Sequence, residues 1–110
     1  MPRHTLILDL QPDPEKWAAY DAYHREVWPE VLESIRASGI QSMEIFRHAN
    51  RLVMLVEVLD SFSWELKSTA DSTNERVQAW EHLMWNYQQA IPTSKPGEKW
   101  VLMDSIFYFE

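Results

Sequence analysis

Cysteine is absent from this 110-residue chain, which excludes disulfides and thiolate chemistry and fits a reducing cytosol. Glycine occurs only twice, too rarely for a Gly-rich phosphate loop. There is also no Gly-x-Ser-x-Gly and no P-loop, which weighs against nucleophilic hydrolysis and nucleotide binding. A metal signature is missing as well: there is no His-Glu-x-x-His and no pair of histidines at short spacing. Positive charge is scarce, with ten Lys and Arg against seventeen Asp and Glu for a net −7. That balance repels phosphate backbones and argues against a nucleic-acid partner. No apolar run approaches the roughly 18 residues of a membrane span, and the opening Met1-Pro2-Arg3-His4 lacks a signal-peptide pattern. The expectation is a cytoplasmic protein with no membrane association.

What remains is a globular composition, 45% apolar and 13% aromatic with six Trp. One domain over residues 1–110 is expected, large enough for a core without metal or disulfide support. Thr5–Leu10 alternates partly and reads as a strand, stopped by Pro12 and Pro14. Asp13 stands where an N-cap belongs and Pro14 at the first helical position, so a helix runs from about Pro14 through His24. A second helical stretch follows Trp28-Pro29, with Val31, Leu32 and Ile35 at helical spacing and Gly39 closing it. Strands over Gln41–Arg47 and Leu52–Leu59 are joined by His48-Ala49-Asn50-Arg51, a hairpin in which Asn50 can take the left-handed conformation.

Beyond the hairpin, a short helix begins near Ser61 or Ser63, and a longer one runs from about Asn74 to Gln89. Trp100–Phe109 reads as the last strand. The order β-α-β-β-α-β is the split βαβ arrangement, one antiparallel sheet with helices on one face. The other face, carrying Val53 and Leu55 together with the C-terminal aromatics, then needs a cover, and a sheet-on-sheet homodimer supplies it.

Chemistry concentrates in Tyr20-Asp-Ala-Tyr23-His24-Arg-Glu-Val-Trp28-Pro29-Glu30. Residues four apart on a helix share a face, so Tyr20 and His24 form one polar pair just before a helix-breaking step. Trp28 adds an aromatic plate, and a sugar site needs apolar plates for C–H faces and a few polar groups for hydroxyls. An amphipathic helix with a His on its edge accounts for the same residues without chemistry. The remaining histidines, His4, His48 and His82, read as solvated. Trp80 and Glu81 on the last helix can supply a second plate and a carboxylate, or Trp80 can be plain core. Asp9, Glu57 and Asp104 interrupt apolar strands, as a polar lumen or a water-facing edge would.

The pattern Leu8-x-Leu10, Pro12-Asp13, Tyr20-x-x-x-His24-x-x-x-Trp28-Pro29-Glu30 resembles the L-rhamnose mutarotase family. The likeness continues through Gly39, Ile45, Asn50-Arg51-Leu52, Val56-Glu57, Trp64, Trp80, Met84 and Ile106-Phe107, nearly the whole chain. It implies a ferredoxin-like α+β fold of the dimeric α/β barrel type and a cofactor-free enzyme that exchanges sugar anomers. It puts the proton-donor His at His24 and a substrate-binding Tyr at Tyr20. Two positions depart: the family's Tyr on the second strand is Met43, and its Trp-Trp pair is Trp80-Glu81. These, with Pro96-Gly97-Glu98-Lys99-Trp100-Val101, look like the branch linked to L-fucose.

The implied reaction opens a pyranose to its aldehyde and recloses it on the other face. Both steps are general acid/base catalysis, each worth about 10²–10⁴-fold. A histidine, with a solution pKa near about 6.5, can give and take the proton at neutral pH. His24 is thus the expected ring-oxygen acid and Tyr20 a positioner. Met43, Trp80 and Glu81 join Tyr20 as substrate contacts, and Glu81 is a candidate base if it faces the cleft. The expected partners are a monosaccharide, a 6-deoxy-L-hexose with L-fucose favoured over L-rhamnose, and a second copy of the chain. No metal or cofactor is called for. Two other classes stay open: a cofactor-free oxygenase or isomerase on the same scaffold, and a small-ligand-binding regulatory module.

Overall fold

A computed structural model describes residues 2–110. Elements follow in the order β1 (Arg3–Leu10), α1 (Pro14–Tyr23), α2 (Pro29–Ala37), β2 (Ile40–His48), β3 (Arg51–Val58), α3 (Trp64–Ser72), α4 (Glu75–Trp85), β4 (Gln88–Gln89) and β5 (Val101–Leu102). The sheet runs β2-β3-β1-β4, and β5 pairs with the same edge of β1 as β4. All pairings are antiparallel, so the fold is the ferredoxin-like α+β arrangement expected from the element order.

Alternation along the central strands decides which face is covered. Leu6, Leu8 and Leu10 on β1 and Leu52, Met54, Val56 and Val58 on β3 are buried. Together with Tyr20, Val31, Trp80 and Met84 from the helices they form the core. Each such side chain, taken out of water, contributes about 1.5–3 kcal/mol. The opposite face carries an apolar row, Phe46–Val53–Ile7–Val101, in register across four strands. Among the described residues no element covers it, and Phe46 and Leu55 remain exposed there.

Local signals explain most boundaries. Asp13 caps α1 by accepting from the Glu15 amide at 3.0 Å, with Pro14 opening the helix. Ser63 caps α3, and Asn74 caps α4 through the Arg76 and Val77 amides at 3.1 and 3.2 Å. Trp28, extended before Pro29, separates α1 from α2, because a residue preceding proline is driven out of helical geometry. Gly39, at φ 95°, ends α2 as expected. Arg47 on β2 grips Asp21 of α1 through two nitrogens at 2.8 and 2.7 Å, fixing the first helix over the sheet.

Four expectations need correction. In the hairpin the positive φ falls on Ala49, at 50°, and not on Asn50. Asn50 is instead held to the end of β1: its carbonyl accepts the Leu10 amide at 2.6 Å and its side-chain amide donates to the Leu10 carbonyl at 3.3 Å. The last helix stops at Trp85, because the open edge of β1 at Asp9 and Leu10 captures Gln89 and Gln88 as β4. The final strand is only Val101–Leu102. After Met103 donates to the Thr5 carbonyl at 2.8 Å, β1 has nearly run out of residues to pair. Ile106, Phe107, Tyr108 and Phe109 are therefore 95, 82, 68 and 84% exposed. Finally, His4 is part-buried rather than fully solvated and packs on Phe62 and Trp64, with ring centroids 6.4 and 5.7 Å away.

His48 and His82 are exposed. Asp104 is exposed beyond the sheet, and Glu57 lies part-buried on the uncovered face. Asp9, also on that face, is 4% exposed and receives the Arg51 guanidinium at 2.8 and 3.1 Å. It is therefore neither a lumen group nor a water-facing edge. No helix of the described residues is long and apolar enough to cross a membrane.

Candidate active site

A cleft of about 910 Å³ opens between the helices and the covered face of the sheet. Tyr20, His24, Met43, Trp80 and Glu81 all line it, and His24 is the one histidine that does. The five residues come from α1, its C-cap, β2 and α4, so the fold gathers what the sequence separates.

His24 caps α1, and its ring nitrogen Nδ1 lies 2.8 Å from the Tyr20 carbonyl. A carbonyl only accepts, so Nδ1 carries the hydrogen and Nε2 is the nitrogen left to exchange protons. The same carbonyl also receives the His24 backbone N–H at 3.3 Å. The imidazole rests against the Tyr20 ring at 4.4 Å between centroids and meets Trp80 edge-on at 5.6 Å. Three contacts therefore fix one part-buried ring.

Tyr20 is 3% exposed. The Gln88 side-chain amide donates to its hydroxyl at 3.0 Å, which leaves the phenolic proton without an acceptor among the described residues. Burial pushes the Tyr20 phenol up to about 12; the Gln88 bond acts in the opposite direction, and Asp21 adds a smaller rise. The phenol stays protonated through the neutral range as a hydrogen-bond donor.

Trp80 is both core and wall. It is 8% exposed, packs on Tyr23 and Trp28 at 6.3 and 5.2 Å, and still borders the cleft. Trp28 does not line the cleft, a correction to its reading as a plate. The break at Pro29 takes it off the α1 face, and its ring lies between Trp80 and the Arg76 guanidinium, 4.2 Å away. Glu81 faces the cleft and accepts from the Gln78 amide at 3.3 Å. Sequence reasoning missed Gln88, whose position at a helix end hid that β4 aims it at Tyr20. It also missed Ser34, Lys67, Asp71 and Gln78, polar residues of the cleft wall with no motif to mark them. Among the described residues no group of three or more His, Asp or Glu side chains is placed to hold a metal.

These features define a ligand-binding α+β domain with an aromatic and polar cleft and one imidazole at its edge. Over residues 3–109 the sequence matches the family model described as L-rhamnose mutarotase, and the chain belongs to that family. The L-fucose mutarotase of Xanthomonas campestris pv. campestris is 46% identical over 109 residues, 97% of this chain and 87% of that protein. Among solved structures, an L-rhamnose mutarotase from Formosa agariphila superposes with a TM-score of 0.73 at 21% identity, covering 100% of both chains. Tetracenomycin F2 cyclase from Streptomyces glaucescens superposes at 0.65 and 20% identity, covering 100% of this chain and 98% of that one. The last two likenesses concern the fold alone.

Burial of Tyr20 has a measurable consequence at alkaline pH. The folded chain keeps a proton up to about pH 12 that the unfolded chain sheds near about pH 10. The stabilisation is complete below about pH 10 and declines toward about pH 12, by at most about 1.4 kcal/mol per pH unit. The urea midpoint of the wild type should fall more between pH 9 and 11 than that of Tyr20→Phe; equal falls would refute the assignment.

Proposed function

We propose that this chain interconverts the α and β anomers of a 6-deoxy-L-hexose, with L-fucose preferred over L-rhamnose. The observation that carries the reading is His24 held by the Tyr20 carbonyl at 2.8 Å, with Nε2 as its exchangeable nitrogen at an aromatic cleft. In the imidazolium form Nε2–H gives its proton to the ring oxygen. The C1–O5 bond breaks, the O1 hydroxyl loses its proton to water entering the cleft, and C1=O1 forms. Rotation about C1–C2 presents the other aldehyde face. Closure is the reverse step: Nε2 takes the proton back as O5 attacks C1, and water returns one to O1.

Tyr20 positions the sugar by donating its phenolic proton to a sugar oxygen. Trp80 and Met43 offer apolar surface for C–H faces and the C6 methyl. Glu81 is assigned to a hydroxyl rather than to the O1 proton, because the Gln78 amide that it accepts from also binds the Asp71 carbonyl of α3. A carboxylate accepts strongly from hydroxyls, and L-fucose and L-rhamnose differ in hydroxyl direction at C2 and C4. The 46% identical relative named L-fucose mutarotase supports the choice of sugar. The charged groups on the cleft wall favour a polyol over the apolar substrate of an oxygenase.

We also infer a homodimer through the uncovered sheet face, supported by the apolar row Phe46–Val53–Ile7–Val101 and the exposed aromatic tail. Burying such a row removes apolar surface from water, the dominant favourable term in association. Light scattering at micromolar concentration should give twice the chain mass, and a monomer would overturn the inference.

NMR saturation transfer between anomers tests the activity. The wild type should accelerate exchange of both sugars, L-fucose more, and His24→Ala should lower the rate at least about 10²-fold with the fold intact. Met43→Tyr with Glu81→Trp should move the preference toward L-rhamnose. Rates equal to buffer in the wild type would refute the activity. An unmoved preference in the double variant would remove these two positions as its source.

A further inference from the structure

The wall of the cleft formed by α3 carries an ion pair that the proposed reaction does not use. Lys67 Nζ lies 2.6 Å from Asp71 Oδ2, and the two side chains are only 16 and 12% exposed. Asp71 Oδ1 accepts from the Ser34 hydroxyl of α2 at 3.0 Å. The Asp71 backbone carbonyl accepts from Gln78 of α4 at 2.9 Å, and the same amide reaches Glu81 at 3.3 Å. Ser34, Lys67, Asp71, Gln78 and Glu81 all border the cleft that holds His24. One polar chain thus runs from Glu81 through Gln78 to Asp71, Lys67 and Ser34 across three helices.

Stability does not account for this pair. Taking two charges out of water costs more than their attraction usually returns, and an apolar pair of similar size often does as well or better. The chemistry of the groups suggests a use. An ammonium has three donors, and one is spent on Asp71; the other two have no acceptor among the described residues. Glu81 is acceptor-only when ionised. A donor and an acceptor on the wall of one cleft, joined through Asp71 and Gln78, suit two adjacent sugar hydroxyls, each of which can accept from one and donate to the other.

We propose that Lys67, held by Asp71, which Ser34 in turn orients, is a specificity-determining residue that donates to a hydroxyl of the sugar remote from C1, while Glu81 accepts from its neighbour. Asp71 and Ser34 are positioning residues that act through Lys67. This rests on the mutarotase reading of the same cleft. It differs in placing recognition on α3, and it names the ligand class as a pyranose with a vicinal diol away from the anomeric carbon.

The test compares wild type, Lys67→Met and Lys67→Arg with L-fucose and its 3-deoxy and 4-deoxy analogues, reading both anomer exchange and binding by ligand-observed NMR titration. In Lys67→Met the KM and Kd for L-fucose should rise at least about tenfold, as expected for losing a hydrogen bond to a charged donor, while kcat stays within about threefold. One deoxy analogue that binds the wild type poorly should bind Lys67→Met no worse than L-fucose does. Lys67→Arg should keep part of the discrimination, since it keeps the charge. A purely structural pair would weaken all three sugars alike and lower the melting temperature, and that result overturns the proposal. So does a Kd for L-fucose that Lys67→Met leaves within twofold. If Lys67→Met does not fold, loss of the deoxy discrimination in Ser34→Ala decides the question, and its full retention overturns the proposal. Wild-type binding without exchange would refute the mutarotase activity while leaving the binding comparison valid, and no wild-type binding would overturn both.

Discussion

Helix α1 ends one residue before His24, and its last carbonyls, those of Asp21, Ala22 and Tyr23, are closed by the backbone N–H groups of His24, Arg25 and Glu26 at 3.1, 3.1 and 3.2 Å. The Tyr20 carbonyl accepts twice, from the His24 backbone N–H at 3.3 Å and from the His24 ring at 2.8 Å. One carbonyl therefore takes part in closing the helix and also chooses which imidazole nitrogen can exchange protons. Trp28-Pro29 bars the helix from continuing past the site. Without the ring bond the imidazole is freed to turn, while the backbone bonds still close the helix. Everything else in the cleft is arranged around that fixed ring: Tyr20 beneath it, Trp80 beside it, and Trp28 behind Trp80.

Polarity in the cleft is divided between two walls. The α1 side supplies the imidazole and a phenol that remains a donor. The α3 and α4 side supplies charges joined by Gln78. This division suits a small polyol, in which the reacting carbon and the distinguishing hydroxyls lie at different ends of one ring. The same fold superposes on a polyketide cyclase at a TM-score of 0.65, so the scaffold does not dictate the chemistry. Residues on the walls do.

Much of this is legible in the amino-acid sequence. The cap at Asp13, the break at Pro29 and the glycine at 39 are local signals, and they placed the first two helices within a few residues. Strand alternation in Leu52–Val58 separated a buried face from an apolar open one. The motif at Tyr20 and His24 depends only on helical spacing, so its geometry followed directly. Failures came where tertiary pairing decides. Ile106–Phe109 has strand-like residues but no strand left to pair with, because β1 ends at Arg3. Gln88 is an ordinary polar residue until β4 turns it toward Tyr20. Lys67 and Asp71 stand four apart on a helix with no motif to mark them; only the packing of α2 and α4 makes them part of the cleft.

The central claim is that the Tyr20 carbonyl holds His24 with its hydrogen on Nδ1 and leaves Nε2 to serve the sugar. A long-range ¹H–¹⁵N spectrum of the labelled protein, recorded at a pH where the ring is neutral, reads this directly. The account predicts a pyrrole-type Nδ1 and a pyridine-type Nε2 for His24, with the Nε2 signal displaced when L-fucose is added. A ring protonated on Nε2 instead, or an Nε2 signal indifferent to sugar, would contradict it.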